Sequence, residues 1–181
     1  MLAILVTALY LSIPVIVAGV AHMAVVRLDF APNLKEPISE DLFGPNKTWR
    51  GVLAMPILTL PGVWIARALD APLSDHLLVS LHDASALTLA IALGLAYVLA
   101  ELPNSWWKRR QGIAPGHLPE RGRVLYVVVD QADSAVGCAL AYAIVLSPPL
   151  AVTITLAVLG PAIHLAANAA LYAAGLRNRP V

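Results

Sequence analysis

The chain has 181 residues, of which 59% are hydrophobic and only 13% carry charge, at a formal net charge of +1. A soluble domain is nearer to about half apolar and a quarter charged, so the composition excludes an ordinary soluble fold, and the small net charge gives no bulk attraction to nucleic acid. The single cysteine, Cys138, excludes an intramolecular disulfide and any cysteine-based zinc site.

Leu2 to Val26 contains no charged residue and is long enough to cross a hydrocarbon core about 30 Å thick. It lacks a basic leading region and a small-residue cleavage site, so it reads as a retained span rather than a signal peptide. The loop that follows, about residues 27–50, holds Arg27, Lys35, Lys47 and Arg50 and ends in FGPNKTWRG. Lys47, Thr48 and Arg50 stand immediately before the second span, bracketed by Gly44 and Gly51 and accompanied by Trp49, an interfacial anchor. The segment is not a phosphate-binding P-loop, because it lacks both the spacing and the preceding strand. The Asn46-Lys47-Thr48 glycosylation pattern has no meaning on a cytosolic loop.

The second span is expected over Val52 to Ala66, with Pro56 and Pro61 inside it. The connection from Leu69 to Asp83 is acidic, and its His76 and His82 read as solvated rather than metal-bound. A third span, Ala84 to Ala100, ends at Glu101. Beyond it Asn104, Ser105 and Lys108 recur at helical spacing from Glu101, on one face if Pro103 leaves the turn intact. The loop at about 102–123 carries Lys108, Arg109, Arg110, Arg121 and Arg123.

The fourth span, Val124 to Leu146, contains Asp130 and Asp133. Their i, i+3 spacing puts them on one helix face, where like charges repel. An ionised Asp at depth in a bilayer costs at least ~2.5 kcal/mol by insertion scales, and a short side chain cannot snorkel out of it. The compensation is a buried cation, protonation, a salt bridge to a neighbouring helix, or a divalent metal. Mg²⁺ suits the last of these, because it takes one or two carboxylates and leaves positions for phosphate oxygens. Glu101 is a candidate third ligand, or an acid at the membrane interface. The fifth span, Pro149 to Leu176, places His164, Asn168 and Tyr172 on one stripe. Such groups hold helices together at about 0.6 kcal/mol each, or face the same polar cavity as the acids.

All twelve basic residues except Arg67 fall in the first loop, the third loop or the tail. The positive-inside rule therefore predicts an all-α protein with five transmembrane helices, the N-terminus outside and the C-terminus cytosolic. Residues 1–181 are expected to form a single transmembrane catalytic domain in the cell membrane, with its site facing the cytosol. Acids for a metal beside cations for phosphate, at a membrane surface, suit phosphoryl or nucleotidyl transfer. A cation-coupled transporter is the rival of another class; it requires polar groups through the full depth of several spans.

KTWRG (Lys47 to Gly51), ELPNSWWKRRQGI (Glu101 to Ile113), DQADS (Asp130 to Ser134) and HLAANAALYAAGLRNRP (His164 to Pro180) resemble the CDP-archaeol synthase family, within the wider CTP:phosphatidate cytidylyltransferase superfamily. The resemblance covers nearly the whole chain. It implies Mg²⁺-dependent transfer of a cytidylyl group from CTP to a lipid glycerol phosphate, releasing pyrophosphate. It also implies that Asp130 and Asp133 hold Mg²⁺, with Glu101 joining directly or through water. Lys47, Arg50, Lys108 and Arg109 would bind phosphates, Thr48 would lie against substrate, and Asn104 and Ser105 would contact nucleotide or metal-bound water. His164 and Asn168 are left between substrate binding and packing. A CTP-dependent polyprenol kinase is the alternative enzyme, and homo-oligomerisation is left open.

Overall fold

The computed structural model describes residues 1–117, 119 and 121–175. Helices follow in the order α1 (Leu2–Arg27), α2 (Glu40–Phe43), α3 (Trp49–Ala68), α4 (Asp70–Leu73), α5 (Ala86–Arg110), α6 (Arg123–Val145) and α7 (Leu150–Ala173), with single 3-10 turns in the connections. Five of them, α1, α3, α5, α6 and α7, are long and apolar enough to cross a membrane. Their outward faces are studded with exposed Leu9, Ile57, Trp64, Leu99, Ile144 and Val158. A helix satisfies its own backbone hydrogen bonds, so such a face suits lipid as its solvent. Arg177 and Arg179, used above for topology, and the end of the fifth predicted span at Leu176 lie outside the described residues.

The five spans pack as a ring in the order α1, α3, α5, α6, α7 and back to α1. A glycine stands at each contact between successive spans. A side chain on Gly62 would lie 2.6 Å from the carbonyl oxygen of Pro14, and one on Gly94 would overlap the backbone of Pro56. Gly137 faces Ala96 and Ala100, and Gly160 faces Ala135. Van der Waals packing drives helix association in lipid, and small residues let the backbones approach. Two of these glycines face the backbone at prolines inside helices, so the missing side chain lets the two helix backbones touch.

Two spans differ from the expected boundaries. α3 begins at Trp49 rather than Val52, so the basic motif itself opens the helix. α5 runs on through Pro103 to Arg110 instead of stopping near Ala100. Proline removes one backbone hydrogen bond, yet the flanking helix is long enough to continue, and the third loop shortens to the residues between Arg110 and Arg123. The consequence is functional: Glu101, Asn104, Ser105 and Lys108 stand on a helix instead of in a loop.

One end of the ring is tightly closed. Tyr10, Leu11, Leu89, Leu93, Tyr142 and Val152 are essentially inaccessible there, and the Tyr142 hydroxyl donates to the Leu11 carbonyl at 2.7 Å. The opposite end, where the loops 28–48 and 111–122 sit, encloses a cavity of about 800 Å³. These are called the far end and the site end below.

Candidate active site

The centre of the site end is the aspartate pair on α6. Seven residues past the start of that helix, Asp130 lies on the order of 10 Å along its axis at 1.5 Å per residue. Asn104 reaches across from α5 and its Nδ2 donates to Asp130 Oδ1 at 2.6 Å and to Asp133 Oδ2 at 2.9 Å. Lys108, one turn further along α5, pairs with both oxygens of Asp130, its Nζ lying 2.5 Å from Oδ2. The second oxygen of Asp133 accepts from the backbone N–H of Ser134 at 2.7 Å. The expected one-face arrangement on α5 is thus what brings an amide and an ammonium onto two acids of α6. Glu101, on the same face, turns instead to Lys47 and forms an ion pair with it.

A divalent metal can be weighed against these donors. Among the described residues, no three His, Cys, Asp or Glu side chains gather closely enough to enclose an ion. An all-protein cage of the zinc or calcium kind is therefore not built here. The two carboxylates do converge on one point, which the Asn104 amide nitrogen occupies, within 2.9 Å of an oxygen from each. Hard oxygen donors from two acids, with the remaining positions left to water and phosphate, are what Mg²⁺ takes. The residues fit such an ion, with Asp130 and Asp133 as its protein donors.

Cations ring the acids. Lys35, Lys47, Arg50, Lys108 and Arg109 line the cavity against Glu101, Asp130 and Asp133, a surplus of two positive charges. Arg50 is buried. It donates to Asp29 Oδ1 at 3.1 Å and to the Phe30 carbonyl at 3.3 Å, while its buried Nε has no partner among the described residues. Asp29 adopts a left-handed backbone (φ 53°) that presents its carboxylate to both Lys35 and Arg50. The Lys35 ammonium hydrogen-bonded to it, helped by Arg50, holds the Asp29 carboxyl below its ordinary value. Arg109 is less committed still. Its Nε and Nη1 are buried and have no hydrogen-bond partner among the described residues. Buried donors are almost always paired, so two orphans on one guanidinium point to an anion. Gly44 keeps that space open: its backbone is left-handed (φ 84°), and a Cβ there would lie 3.2 Å from Arg109 Nη1 and 3.1 Å from the Pro115 ring.

Thr48 and Ser105 line the same cavity. Thr48 precedes α3 without capping it through its side chain, and neither hydroxyl has a hydrogen-bond partner among the described residues. On α7, Asn168 is buried and donates to Gln131 Oε1 at 3.0 Å. His164 Nε2 lies 3.3 Å from the Tyr97 hydroxyl, with the two rings edge to face. Both residues border the cavity, so their polar atoms tie α7 to α6 and α5 at its wall.

The structure also brings in residues that sequence reasoning overlooked. His22 of α1 lines the cavity, with Glu101, Arg50 and Lys47 near enough to act on it electrostatically. An imidazole a turn and a half from the end of an otherwise uncharged span was the available signal. Asp29 gave no signal, because its role depends on a loop fold that brings it to Arg50.

The whole chain, residues 1–181, matches the family model described as CarS-like: CDP-archaeol synthase. The chain belongs to the CDP-archaeol synthase family. Similar curated proteins include the CDP-archaeol synthase of Halorubrum lacusprofundi, 35% identical over 149 residues that cover 77% of this chain and 76% of that one. Those of two strains of Halobacterium salinarum are 34% identical over 148 residues, with the same coverage. No solved structure matches the chain. The family match therefore agrees with the resemblance read from KTWRG, DQADS and the segments between them.

Proposed function

We propose that this protein transfers a cytidylyl group from CTP to the phosphate of a lipid glycerol phosphate, of the isoprenoid ether class named in its relatives, giving a CDP-lipid and pyrophosphate. The observation that carries this reading is the site end itself: two converging acids and a cationic surplus share one cavity in a membrane-spanning member of this family. CTP and a phosphate monoester are both polyanions, and the surplus of positive charge favours them. The concentration of basic residues in the loops of that end argues that it faces the cytosol, where CTP is available.

In the proposed reaction an oxygen of the lipid phosphate attacks the α-phosphorus of CTP. The bond from that phosphorus to the oxygen bridging to the β-phosphate breaks, and pyrophosphate leaves with the electron pair. A phosphate monoester is already largely ionised near pH 7, so no strong general base is required. Mg²⁺ held by Asp130 and Asp133 would supply charge neutralisation for the triphosphate when bound. Arg109, with its two orphaned nitrogens, binds and orients a phosphate group. Lys47 and Lys108 hold the acids and lend positive charge where negative charge accumulates on the leaving group. Arg50 lines the phosphate side and is held in place by Asp29. Thr48 and Ser105, whose hydroxyls have no partner among the described residues, donate to phosphate or ribose oxygens. Asn104 keeps the two carboxylates aligned. His164 and Asn168 form the wall beside them.

The packed far end argues against transport, because the buried side chains there leave no polar path. A kinase acting on the γ-phosphorus is separated by isotope. CTP labelled at the α-phosphorus, incubated with the protein, Mg²⁺ and an isoprenoid ether glycerol phosphate, should label the lipid, and γ-labelled CTP should not. Lipid labelled only from the γ-position would overturn the proposal.

A further inference from the structure

Four glycines serve as contact points between successive spans, one at each junction from α1–α3 round to α6–α7. A fifth helical glycine, Gly19 of α1, behaves differently. A side chain built on it meets nothing within 4 Å, and it lines the cavity. The cavity is not only polar. Below the charged residues it continues between α1 and α7, past Val15, Gly19 and Val20 on one side and Leu159 and Ile163 on the other, as deep as Leu11 and Ala8. Val20, on the α1 wall of this groove, is 40% exposed.

We infer that this α1–α7 groove holds one hydrocarbon chain of the acceptor lipid, and that Gly19 determines which chains fit. The inference rests on the reading that a lipid glycerol phosphate is the acceptor. Depth supports it. From His22, at the polar rim, to Ala8 is fourteen residues of helix, or ~21 Å at 1.5 Å per residue. A single leaflet of a core about 30 Å thick is ~15 Å deep. A lipid with its phosphate at the rim would therefore find a groove long enough to take one chain through the whole depth of its leaflet. Continuity supports it too, since one cavity joins the cationic rim to the apolar floor, matching an amphiphile with an anionic head. Pockets of this kind distinguish substrates by one methylene at about 10–200-fold, and the missing side chain at Gly19 is space of that order.

Two experiments test this separately from the reaction. The first compares G19L with the wild type on two glycerol phosphate lipids, one with long branched chains and one with short chains. Leucine suits a helix better than glycine, and a Cβ at this position has nothing within 4 Å, so the variant should fold. The expected result is a fall of about tenfold or more in the long-over-short ratio of kcat/KM, with the KM for CTP unchanged. An unchanged ratio, or a rise in the KM for CTP matching the loss, would overturn the inference. The second uses a long-chain isoprenoid ether glycerol phosphate bearing a diazirine midway along one chain. Irradiation should label peptides of α1 and α7 around Val15 to Val20 and Leu159 to Ile163, and less so in G19L. Label confined to other spans would overturn the groove. If the wild type transferred no cytidylyl group to any lipid while α1 and α7 were still labelled, the proposed reaction would fall and the groove would stand.

Discussion

The two ends of the bundle both carry polar side chains, and they use them in opposite ways. At the far end the buried ones are answered. The Tyr10 hydroxyl donates to Asp70 Oδ1 at 2.6 Å and accepts from the backbone of Leu81. Ser80 donates to the other oxygen of Asp70 at 2.6 Å, and Arg67 donates to the carbonyls of Leu81 and Ala84. Thr7 accepts from the N–H of Leu78 at 3.0 Å. At the site end, Arg109 keeps two buried nitrogens without partners among the described residues, Thr48 and Ser105 have free hydroxyls, and two acids are crowded onto one amide. A network satisfied within itself is a fastening. Buried donors left unanswered cost about 1–3 kcal/mol each, a cost retained where a ligand completes them. The same kinds of residue therefore read as structural at one end and as a binding site at the other.

That contrast can be broken from either side. The largest effect is expected at the acids. Asp130→Asn or Asp133→Asn should each lower cytidylyl transfer by about 10²–10³-fold, the scale of losing one group that stabilises developing charge. Asparagine keeps the size and shape of each side chain, and a thermal melt of both variants separates lost transfer from lost folding. Arg109→Gln should raise the KM for CTP by roughly 10–100-fold, because hydrogen bonds to charged groups are worth about 1.5–3 kcal/mol. Little stability should be lost, as the two orphaned nitrogens have no partner to forfeit among the described residues. Gly62→Leu, by contrast, forces a side chain into the backbone of Pro14. Overpacking of this kind costs about 1–3 kcal/mol, so a thermal melt should show a clear loss of stability while the KM for CTP stays the same.

Smaller effects should follow the same division. Tyr10→Phe removes one hydroxyl that serves both Asp70 and Leu81 and should cost about 1–3 kcal/mol. It should leave the α- and γ-label pattern unaltered. Asp29 gives the gentlest probe. Its carboxyl pKa is lowered, so its contribution is fully present above the unfolded carboxylate value of about 3.9 and disappears as pH falls through the lower folded value. Activity measured from pH 6 to 8 should carry no step from this group, and Asp29→Asn should leave the profile in that window unchanged in shape. A new inflection there in the variant would mean that Asp29 does more than hold Arg50.

Much of this arrangement was legible in the sequence, for identifiable reasons. Long, predominantly apolar runs are stable in lipid as helices, so the five spans stood out. Two acids on one helix face at depth demand compensation, so Asp130 and Asp133 stood out as well. What remained hidden depends on neighbours. Pro103 suggests a break, yet α5 passes through it, and only then do Asn104 and Lys108 reach α6. Glu101 is placed near the acids by its position at the end of the third span, and its ion pair with Lys47 depends on a loop whose fold the sequence does not reveal. The order of the ring, and the one helical glycine whose Cβ would meet nothing within 4 Å, are properties of packing that no single helix contains.

The contrast between the ends is tested most directly by asking where CTP binds. With Mg²⁺ and CTP at 100 times its dissociation constant, linkage predicts that the wild type gains about 2.7 kcal/mol of stability, read as a rise in melting temperature. The account predicts that the Asp130→Asn, Asp133→Asn double variant loses that rise, whereas Tyr10→Phe, though less stable, shows it in full. A double variant stabilised by CTP as strongly as the wild type would contradict it.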